Sequence, residues 1–552
     1  MLHPLLALLL IALLALRPTS LAGTPPPKAW EPDSVADAFA SPSAALLWPG
    51  ATRAYFVDSD GNLGNGVWRV DVAAGADGQP ASSPRRIAYE DRWMPVAHWT
   101  EHAGGVRWEF EAVALPVPQS LIAEWRGALA RGHMPSFQDD QYVDVPLVVS
   151  VCATAYNDGA RFARATLGVA FARARANGAI ADADAPARLP ACGWWNADAD
   201  SAIGWSDAPV QGRRVHRELT LEPGQSRAVR FVVTSHPVAG SMLADWARVP
   251  HETRARMARD WWTLELSHGT RLRLDDPEVE GAVRAARVVL LSGRERREGH
   301  WSALSAPFAG RGANSTDHLR ALSALEAHGY VEAAGNSGRT LDWLQPTFAA
   351  SAAMARAVED GEPGLSALRT GRRAEADSAL TELLWWRNAC GAGNTMFAPA
   401  EDLATPPPPS LRSSAALLQL VRNSLIDDSG PRLCLTEGAR PHWWHNARVD
   451  GAPTRWGTIS LAFERTDERA HWRWTAVPVW TELVLPPGTQ VAGELKAPLL
   501  RGPRPDVVLA PPGTQQARVT LARASRGVNG AVRGRATIAT RADIAGAAAR
   551  GL

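Results

Sequence analysis

The stretch from Asp260 to Gln345 decides the fold, because it marks a passage from strands to paired helices. It begins DWWTLELSHGTRLRLDDPEVEGAVRAARVVLLSG and, after a glycine-rich gap, continues NSTDHLRALSALEAHGYVEAAGNSGRTLDWLQ. A helix is predicted to start at Asp275 or Asp276, with Pro277 at its first position. Apolar residues then recur at the spacing of one helical face: Val279, Val283, Ala286 and Leu290.

The second half of this stretch has the pattern of a helical hairpin. Its first helix carries an apolar stripe and should end at Gly329, which can adopt the backbone conformation that closes a helix. The stripe of the first helix is formed by Leu319, Leu322 and Leu325, and that of the second by Val331, Ala334, Leu341 and Leu344.

Length and composition indicate a folded protein with several domains. The chain has 552 residues, of which 46% are hydrophobic and 21% charged, so two to four domains are expected. Its net charge is only +1, which gives no electrostatic argument for nucleic acid or an anionic membrane as a partner. Tryptophan is abundant, with 23 residues, and its flat rings suit both sugar stacking and a hydrophobic core.

The first 22 residues are predicted to be a signal peptide. The apolar run Leu5–Leu16 is too short to span a bilayer and is typical of an export signal, and small residues follow at Ser20 and Ala22. A periplasmic or secreted location is therefore expected, with no membrane attachment after cleavage. In that location Cys152, Cys192, Cys390 and Cys434 could form two disulfides, with three connectivities open.

Residues 23–44 are predicted to be a linker and residues 45–240 an antiparallel β-sandwich. Val106, Trp108, Phe110 and Ala112 alternate with polar residues, which indicates a half-buried strand. The segment 156–159, Tyr-Asn-Asp-Gly, is predicted to join two strands as a hairpin, and Pro223-Gly224 separates two more. Short strands at this spacing are typical of a sandwich.

A helical connector at 241–274, carrying three tryptophans, should lead into a helical domain at 275–428. About six helices are predicted there, near 277–292, 317–328, 331–344, 347–359, 372–388 and 411–425. A smaller β-domain is predicted at 429–522, and the Ala-, Gly- and Arg-rich tail 523–552 is predicted to be disordered. The fold class expected is therefore multidomain α+β.

This order of domains resembles the six-hairpin glycosidases, the (α/α)6-toroid enzymes that include glucoamylase-like and maltose-phosphorylase-like proteins. Short motifs carry the resemblance across most of residues 45–522. They are LTLEPGQS at 219–226, Trp261-Trp262 followed by Asp276-Pro277, DHLR at 317–320 with HGY at 328–330, Trp443-Trp444, and PTRWG at 453–457. A complete toroid has twelve helices, so the resemblance implies a shortened ring.

Together with the predicted signal peptide, the resemblance implies an exported protein; by itself it implies hydrolysis of glycosidic bonds with two carboxyl groups, one acting as an acid and the other as a base. It places Asp317, at the start of a helix, and Glu401 as the catalytic candidates. Ser315-Thr316 stands where relatives carry an aromatic residue and an arginine, and Asp317 could instead only stabilise the helix N-terminus. Likewise, Glu401 and Asp402 could form a solvated acidic loop.

Glu382, Trp385 and Trp386 are the candidates for substrate binding, because a carboxylate beside two indoles could line a sugar site. The alternative is a surface glutamate above core tryptophans. An oligo- or polysaccharide is the expected partner, without nucleic acid or cofactor, and a homo-oligomer is left open. The competing function is a catalytically inactive carbohydrate-binding or structural relative with a truncated toroid.

No metal site is predicted from the sequence. Asp58, Asp60 and Asn62 have the spacing of a calcium loop, but Leu63 and Arg69 replace its glycine and glutamate, so a turn is expected. His442 and His445 lie in a segment predicted to be a strand, which would place the two side chains on opposite faces.

Overall fold

The computed structural model describes residues 42–116, 147–174, 180–182, 193–196, 201–303, 315–330, 363–389 and 411–524. Short gaps within these ranges fall at 50, 52–54, 59, 66–67, 82–86, 92, 209, 212–213, 293, 298–299 and 467. The architecture is mixed α+β, with antiparallel sheets first, helices next and further sheets last. No helix in these ranges has the length and apolar character needed to cross a membrane.

The N-terminal part consists of sixteen strands in the described ranges. They are β1 Pro42–Leu46, β2 Tyr55–Asp58, β3 Leu63–Gly64, β4 Trp68–Ala76, β5 Gln79–Pro80, β6 Ala88–Glu90, β7 Met94–Ala103, β8 Val106–Pro116, β9 Leu147–Asn157, β10 Ala163–Ala174, β11 Ile180–Asp182, β12 Gly193–Asn196, β13 Ser201–Ser206, β14 Val210–Gln211, β15 Arg214–Leu221 and β16 Ser226–Ala239.

These strands form two antiparallel sheets that pack face to face. One follows the order β1-β2-β3-β4-β10-β15-β14, with β5 beside β4 and β11 beside β10; the other follows β12-β13-β16-β9-β8-β7-β6. The indole of Trp108 donates to the carbonyl of Gly75 across the interface, and the Tyr55 hydroxyl donates to the carbonyl of Thr234. The alternation predicted along β8 is confirmed by its burial.

The predicted hairpin at 156–159 is wrong, because β9 and β10 belong to different sheets. The turn carries the chain from one layer to the other. Asn157 stabilises this crossing: its side chain donates to the carbonyls of Arg161 and Leu221 and accepts from the amide of Gly159. A turn motif in the sequence fixes a change of direction but does not determine which strand becomes the hydrogen-bonding neighbour.

Seven helices follow in the described ranges. They are α1 Gly240–Arg248, α2 His251–Ser267, α3 Pro277–Ser292, α4 Ser315–Ala327, α5 Pro363–Arg369, α6 Arg373–Ala389 and α7 Leu411–Leu425. Between them lie the short strands β17 Arg271–Arg273, β18 Arg294–Arg297 and β19 His300–Ala303. The predicted helices at 331–344 and 347–359 fall outside the described residues, and α5 was not predicted.

Two helix ends follow the chemistry expected from the sequence. Asp276 caps α3, with its Oδ1 accepting from the amide of Val279 at 3.1 Å, and Pro277 is the first helical residue. Gly329 follows α4 with a φ of 88°, a conformation that costs glycine little. Both predictions are confirmed.

Helix α7 is the centre of the helical part. It contacts α3, α4, α5 and α6, and every residue from Ser413 to Leu425 is buried, including polar ones such as Gln419 and Asn423. A helix buried all round supports its neighbours on several sides. Four of the six other described helices therefore pack around α7, and two of these, α3 and α4, come from the 260–345 stretch.

The C-terminal part contains ten strands in the described ranges and a 3₁₀ helix, Pro441–His445. The strands are β20 Ile426–Asp427, β21 Leu433–Leu435, β22 Ala447–Thr454, β23 Gly457–Thr466, β24 Arg469–Trp474, β25 Thr481–Val484, β26 Thr489–Val491, β27 Leu500–Arg501, β28 Val507–Ala510 and β29 Gln516–Arg523. One sheet has the order β17-β22-β23-β24-β29-β26 and the other β20-β21-β25-β28-β27.

The strand predicted around His442 is wrong, since Pro441 starts the 3₁₀ helix there. The helix buries Trp443 and Trp444 and directs His442 and Trp443 to the carboxylate of Asp276, at 2.7 and 2.8 Å. Asp276 thus joins the start of α3 to the C-terminal part. In the helix both neighbouring tryptophans can face the core, whereas successive residues of a strand point to opposite faces of the sheet.

Candidate functional site

The predicted site residues are spread over the helical part. Asp317 is the third residue of α4, and Trp385 and Trp386 lie in the second half of α6. Glu382 is exposed on α6, beside the buried Leu383. Glu401 and Asp402 lie outside the described residues. The assignment of Asp317 and Glu401 as a catalytic pair therefore stays a prediction.

A second pair of carboxylates lies at the opposite end of α4. Glu326 is in the last turn of that helix, and Asp428 follows α7 and the short strand β20. Partial desolvation by the surrounding protein raises the pKa of Glu326, although part of its side chain is exposed to solvent, and the negative charge of Asp428 raises it further. The Glu326 carbonyl accepts from the amide of Gly329, whereas no side-chain hydrogen bond to its carboxyl group is present within the described residues, and the residue is exposed at the surface.

Asp428 has the opposite tendency. Burial by itself would raise its pKa, but the charge and hydrogen bond of Arg422 and the contacts of Arg455 outweigh this effect and lower it. Arg422 Nη1 lies 2.6 Å from Oδ1 of Asp428, and the amide of Arg455 donates to Oδ2 at 2.9 Å. Asp428 consequently stays ionised at neutral pH.

Two loops fix this end of the helical part. Arg422, itself buried on α7, also donates to the carbonyls of Ile426 and Pro453, which ties α7 to the β22–β23 turn. In that turn the guanidinium of Arg455 lies 4.8 Å from the centre of the Trp456 ring. The Trp456 ring is half-buried. A protonatable carboxyl, an ionised one and an indole therefore lie in adjoining segments.

Chemically, carboxyl groups with opposed pKa shifts can divide acid and base roles. The group with the raised pKa holds a proton up to a higher pH than an ordinary glutamate and can donate it. The ionised group can stabilise positive charge or activate a nucleophile. The sequence analysis missed this pair, because a glutamate at a helix end and an aspartate after a helix are each common, and only the tertiary contacts bring them together.

A separate polar cluster lies between the second N-terminal sheet and α2. The guanidinium of Arg259 binds both carboxylate oxygens of Glu90, at 2.7–2.9 Å, and Oε2 of Glu111 at 2.9 Å. His98 lies 3.1 Å from Glu90 and 3.8 Å from Glu111. Three residues of this cluster, Glu90, His98 and Glu111, offer ligand atoms within 4.8 Å of one another.

This cluster does not fit a resident metal ion. Metal ligands must be free to donate lone pairs, whereas Arg259 already engages both carboxylates, Glu90 through a bidentate contact and Glu111 through one oxygen. A divalent cation would have to displace a guanidinium that is held at three oxygen atoms. The cluster is better explained as the contact that holds α2 on the sheet.

Ser150 and His251 extend the same cluster inward. The neutral imidazole of His251 donates from Nε2 to Glu111 at 3.0 Å and accepts from the Ser150 hydroxyl at Nδ1, at 2.7 Å. The order serine, histidine, carboxylate is that of a nucleophilic relay. Ser150, however, is only 1% exposed beneath α2, so no substrate can approach its oxygen.

The cluster predicts a loss of stability in acid. Burial opposes ionisation of Glu111, but His251 and Arg259 outweigh it and lower its pKa to about 2. Burial lowers the pKa of His251, so its folded form stays neutral. Because both folded pKa values are depressed, the unfolded chain binds more protons as pH falls. The Glu111 contribution is complete above the ordinary glutamate pKa and is lost as pH falls towards about 2, whereas the His251 contribution begins to fall already below the ordinary histidine pKa.

Glu111→Gln should therefore lower the free energy of unfolding by about 2 kcal/mol at pH 7. The difference from the unaltered protein should shrink steadily below about pH 4.5, where free glutamate becomes protonated. Urea unfolding at pH 7 and pH 3 measures both. Glu109→Gln, on the same strand but more exposed, is the matched control and should change little. An equal deficit at both pH values would contradict the linkage to Glu111.

Cys152 and Cys434 are both free thiols, so the two-disulfide arrangement is wrong. Cys152 lies on β9 and Cys434 on β21, in separate sheets of the N- and C-terminal parts. Cys192 and Cys390 lie outside the described residues.

Comparison with known proteins is uninformative at the level of sequence. No model of a known protein family matches the chain. No curated protein matches it either. Among solved structures, the chain is similar to one described as "Putative kojibiose phosphorylase from human microbiome", with a TM-score of 0.38 and 6% identity over 82% of this chain and 95% of that one. A similarity this low assigns no activity, and membership of the six-hairpin glycosidases stays a prediction.

Proposed function

We propose that this protein acts on glycosidic bonds of an oligo- or polysaccharide, with Glu326 as the general acid and Asp428 as its ionised partner. One observation carries the proposal: two neighbouring carboxyl groups have opposed pKa shifts at the junction of α4, α7 and the β22–β23 turn. Cleavage of a glycosidic bond needs a proton for the leaving oxygen and negative charge for an oxocarbenium-like transition state. Glu326 can supply the first and Asp428 the second.

The neighbouring groups suit a sugar. Trp456 offers the ring face that Arg455 does not cover. Arg455, whose Nη2 donates to the carbonyls of Asp428 and Gly430, has further N–H donors at Nε and Nη1 for hydroxyl groups. The order of β-sheets, helices and β-sheets agrees with what the sequence resemblance implies. The N-terminal apolar run supports export, so we place the activity in the periplasm or outside the cell.

The pair Asp317 and Glu401 is a second assignment for the same activity. Asp317 precedes Glu326 by nine residues on α4, which places them roughly 13 Å apart along the helix axis. Catalytic carboxyl groups of glycosidases lie about 5–9.5 Å apart, so Asp317 and Glu326 mark two different centres. Glu382, Trp385 and Trp386 belong to this second assignment as substrate-binding residues.

A panel of α- and β-linked neutral and acidic glycans, incubated with the purified full-length protein, tests the activity. Assays with and without inorganic phosphate separate hydrolysis from phosphorolysis. Glu326→Gln and Asp428→Asn should abolish turnover if the described pair is catalytic. Loss of turnover only in Asp317→Asn and Glu401→Gln would assign catalysis to Asp317 and Glu401 instead. Turnover at the full rate in all four variants would reject both assignments.

The alternative is a catalytically inactive carbohydrate-binding protein. It is favoured by the contacts of Asp428, whose two oxygens both take part in holding loops together. Glycan binding without turnover by the unaltered protein, and unaltered binding by Glu326→Gln, would support this alternative.

A further inference from the structure

The outward face of one C-terminal sheet is strongly basic. Six exposed arginines lie on the sheet β17-β22-β23-β24-β29-β26, and we call them the arginine face: Arg271, Arg273, Arg448, Arg469, Arg473 and Arg518. The whole chain carries a net charge of only +1, so this face is a local concentration of positive charge.

Strand register places these side chains on one surface. Residues directly opposite in antiparallel strands share a face, and the register pairs Arg273 with Arg448, Arg448 with Ala462, and Ala462 with Arg473. On the other side of β24, His471 is opposite Arg518. The opposite face of the same strands is apolar and buried, as Trp472 and Val519 show. The arginines therefore all point away from the core.

Few carboxylates neutralise this face. Asp450 is engaged by Arg448 at 2.8 Å and Glu464 by His471 at 3.1 Å. Within the described residues, no ion pair involves the remaining five members of the arginine face: Arg271, Arg273, Arg469, Arg473 and Arg518. Positive charge that the protein leaves unpaired on a flat surface is available to an anionic partner.

The geometry suits an extended chain of anions. Neighbouring strands lie about 4.8 Å apart, so Arg448 and Arg473, on either side of β23, are separated by about 10 Å at their Cα atoms. Between them the sheet carries the small side chain of Ala462, which leaves a shallow trough. A guanidinium binds a carboxylate through two parallel hydrogen bonds, so such a row can hold successive carboxylates of a linear polymer.

We propose that the arginine face binds an acidic, uronate-containing polysaccharide. The face has polar side chains for sugar hydroxyls at Gln516 and Thr520. Its described strands present no tryptophan ring outward for stacking with nucleic-acid bases, because Trp472 and Trp474 both point into the core. The proposal extends the proposed function by naming a substrate class, but it rests on residues other than Glu326 and Asp428.

The test measures binding of polygalacturonate to the full-length protein at low salt, by isothermal titration calorimetry. A quadruple variant carries Arg273→Gln, Arg448→Gln, Arg473→Gln and Arg518→Gln. The matched control replaces four exposed arginines of the N-terminal sheets, with the same loss of charge: Arg161→Gln, Arg164→Gln, Arg217→Gln and Arg227→Gln. Circular dichroism and the melting temperature confirm that both variants fold.

Polygalacturonate should bind the quadruple variant roughly 10- to 100-fold more weakly, because four exposed charge contacts are lost, while the control retains its affinity. Binding should weaken with added salt, and neutral dextran should not bind. Equal losses in both variants would overturn the proposal, since the attraction would then follow net charge alone. Tighter, face-dependent binding of duplex DNA or of phosphatidylglycerol vesicles would overturn it in favour of that partner.

A failure here is distinguishable from a failure of the proposed function. Loss of polygalacturonate binding in the quadruple variant, with unchanged turnover of a short neutral glycan, would locate binding and catalysis on separate surfaces. If the protein turns over a glycan but does not bind polygalacturonate, the proposal for the arginine face is rejected and the proposed function is not.

Discussion

Glu326→Gln is expected to lower kcat for the best substrate of the glycan panel by about 100- to 10,000-fold, the usual contribution of a general acid. Glutamine has nearly the same shape as glutamate but no proton to give to a leaving oxygen. Since the change leaves the volume at the end of α4 unaltered, KM and the melting temperature should change little. Steady-state kinetics on the purified variant measure the effect.

The pH dependence gives an independent check on Glu326. A general acid works only while it is protonated, so kcat/KM of the unaltered protein should fall as pH rises through the Glu326 pKa. Because burial and the charge of Asp428 raise that pKa, the decline should begin above the ordinary range of glutamate. The residual kcat/KM of Glu326→Gln should not show this decline at high pH.

Glu375→Gln is the control, because Glu375 is an exposed glutamate at the start of α6. It should leave both kcat and the pH profile unchanged. If Glu326→Gln retains full activity and the same decline of kcat/KM at high pH, Glu326 is not the general acid. If its melting temperature collapses instead, the residue is structural, and the asparagine variant Asp428→Asn then provides the separate test of the site.

The second large effect is on stability. Trp262→Ala should lower the free energy of unfolding by about 3–5 kcal/mol, the cost of removing a fully buried aromatic side chain. Trp262 is 0% exposed and packs with Trp48 and Trp261, with ring centres 6.0 and 4.8 Å away. Trp48 follows the first strand, so the cluster fastens the N-terminal sheets to α2.

Denaturant unfolding measures the loss, and Leu264→Ala on the same helix is the matched control. Leu264 is 60% exposed, so its replacement should cost under about 1 kcal/mol. Similar losses in the two variants would mean that helix propensity, and not the indole cluster, dominates. A small effect of Trp262→Ala would show that the sheets and α2 unfold independently.

The helices show how far local sequence goes. The predicted spans 277–292 and 411–425 coincide with α3 and α7, because each has an apolar period and clear ends. The sheets of the N-terminal part were likewise expected from alternation. These features depend on residues within one helical turn or one strand, and such residues are close together in the sequence.

The candidate site was only partly predictable. The resemblance to the six-hairpin glycosidases implied two carboxyl groups and placed them at Asp317 and Glu401. The described pair, Glu326 and Asp428, is separated by about a hundred residues and meets only because α4 and α7 pack together. Neither the raised pKa of one group nor the lowered pKa of the other can be derived from adjacent residues, since both follow from burial and from charges such as Arg422.

The amino-acid sequence by itself determined the succession of strands, helices and strands, the caps at Asp276 and Gly329, and the absence of any strong local metal motif. Tertiary structure alone decided that β9 and β10 separate into two sheets, that α7 is the buried centre of the helices, and that six arginines share one face. The physical reason is the range of the forces involved: backbone propensity and capping act over a few residues, whereas desolvation, strand register and charge pairing act between segments that only folding brings together.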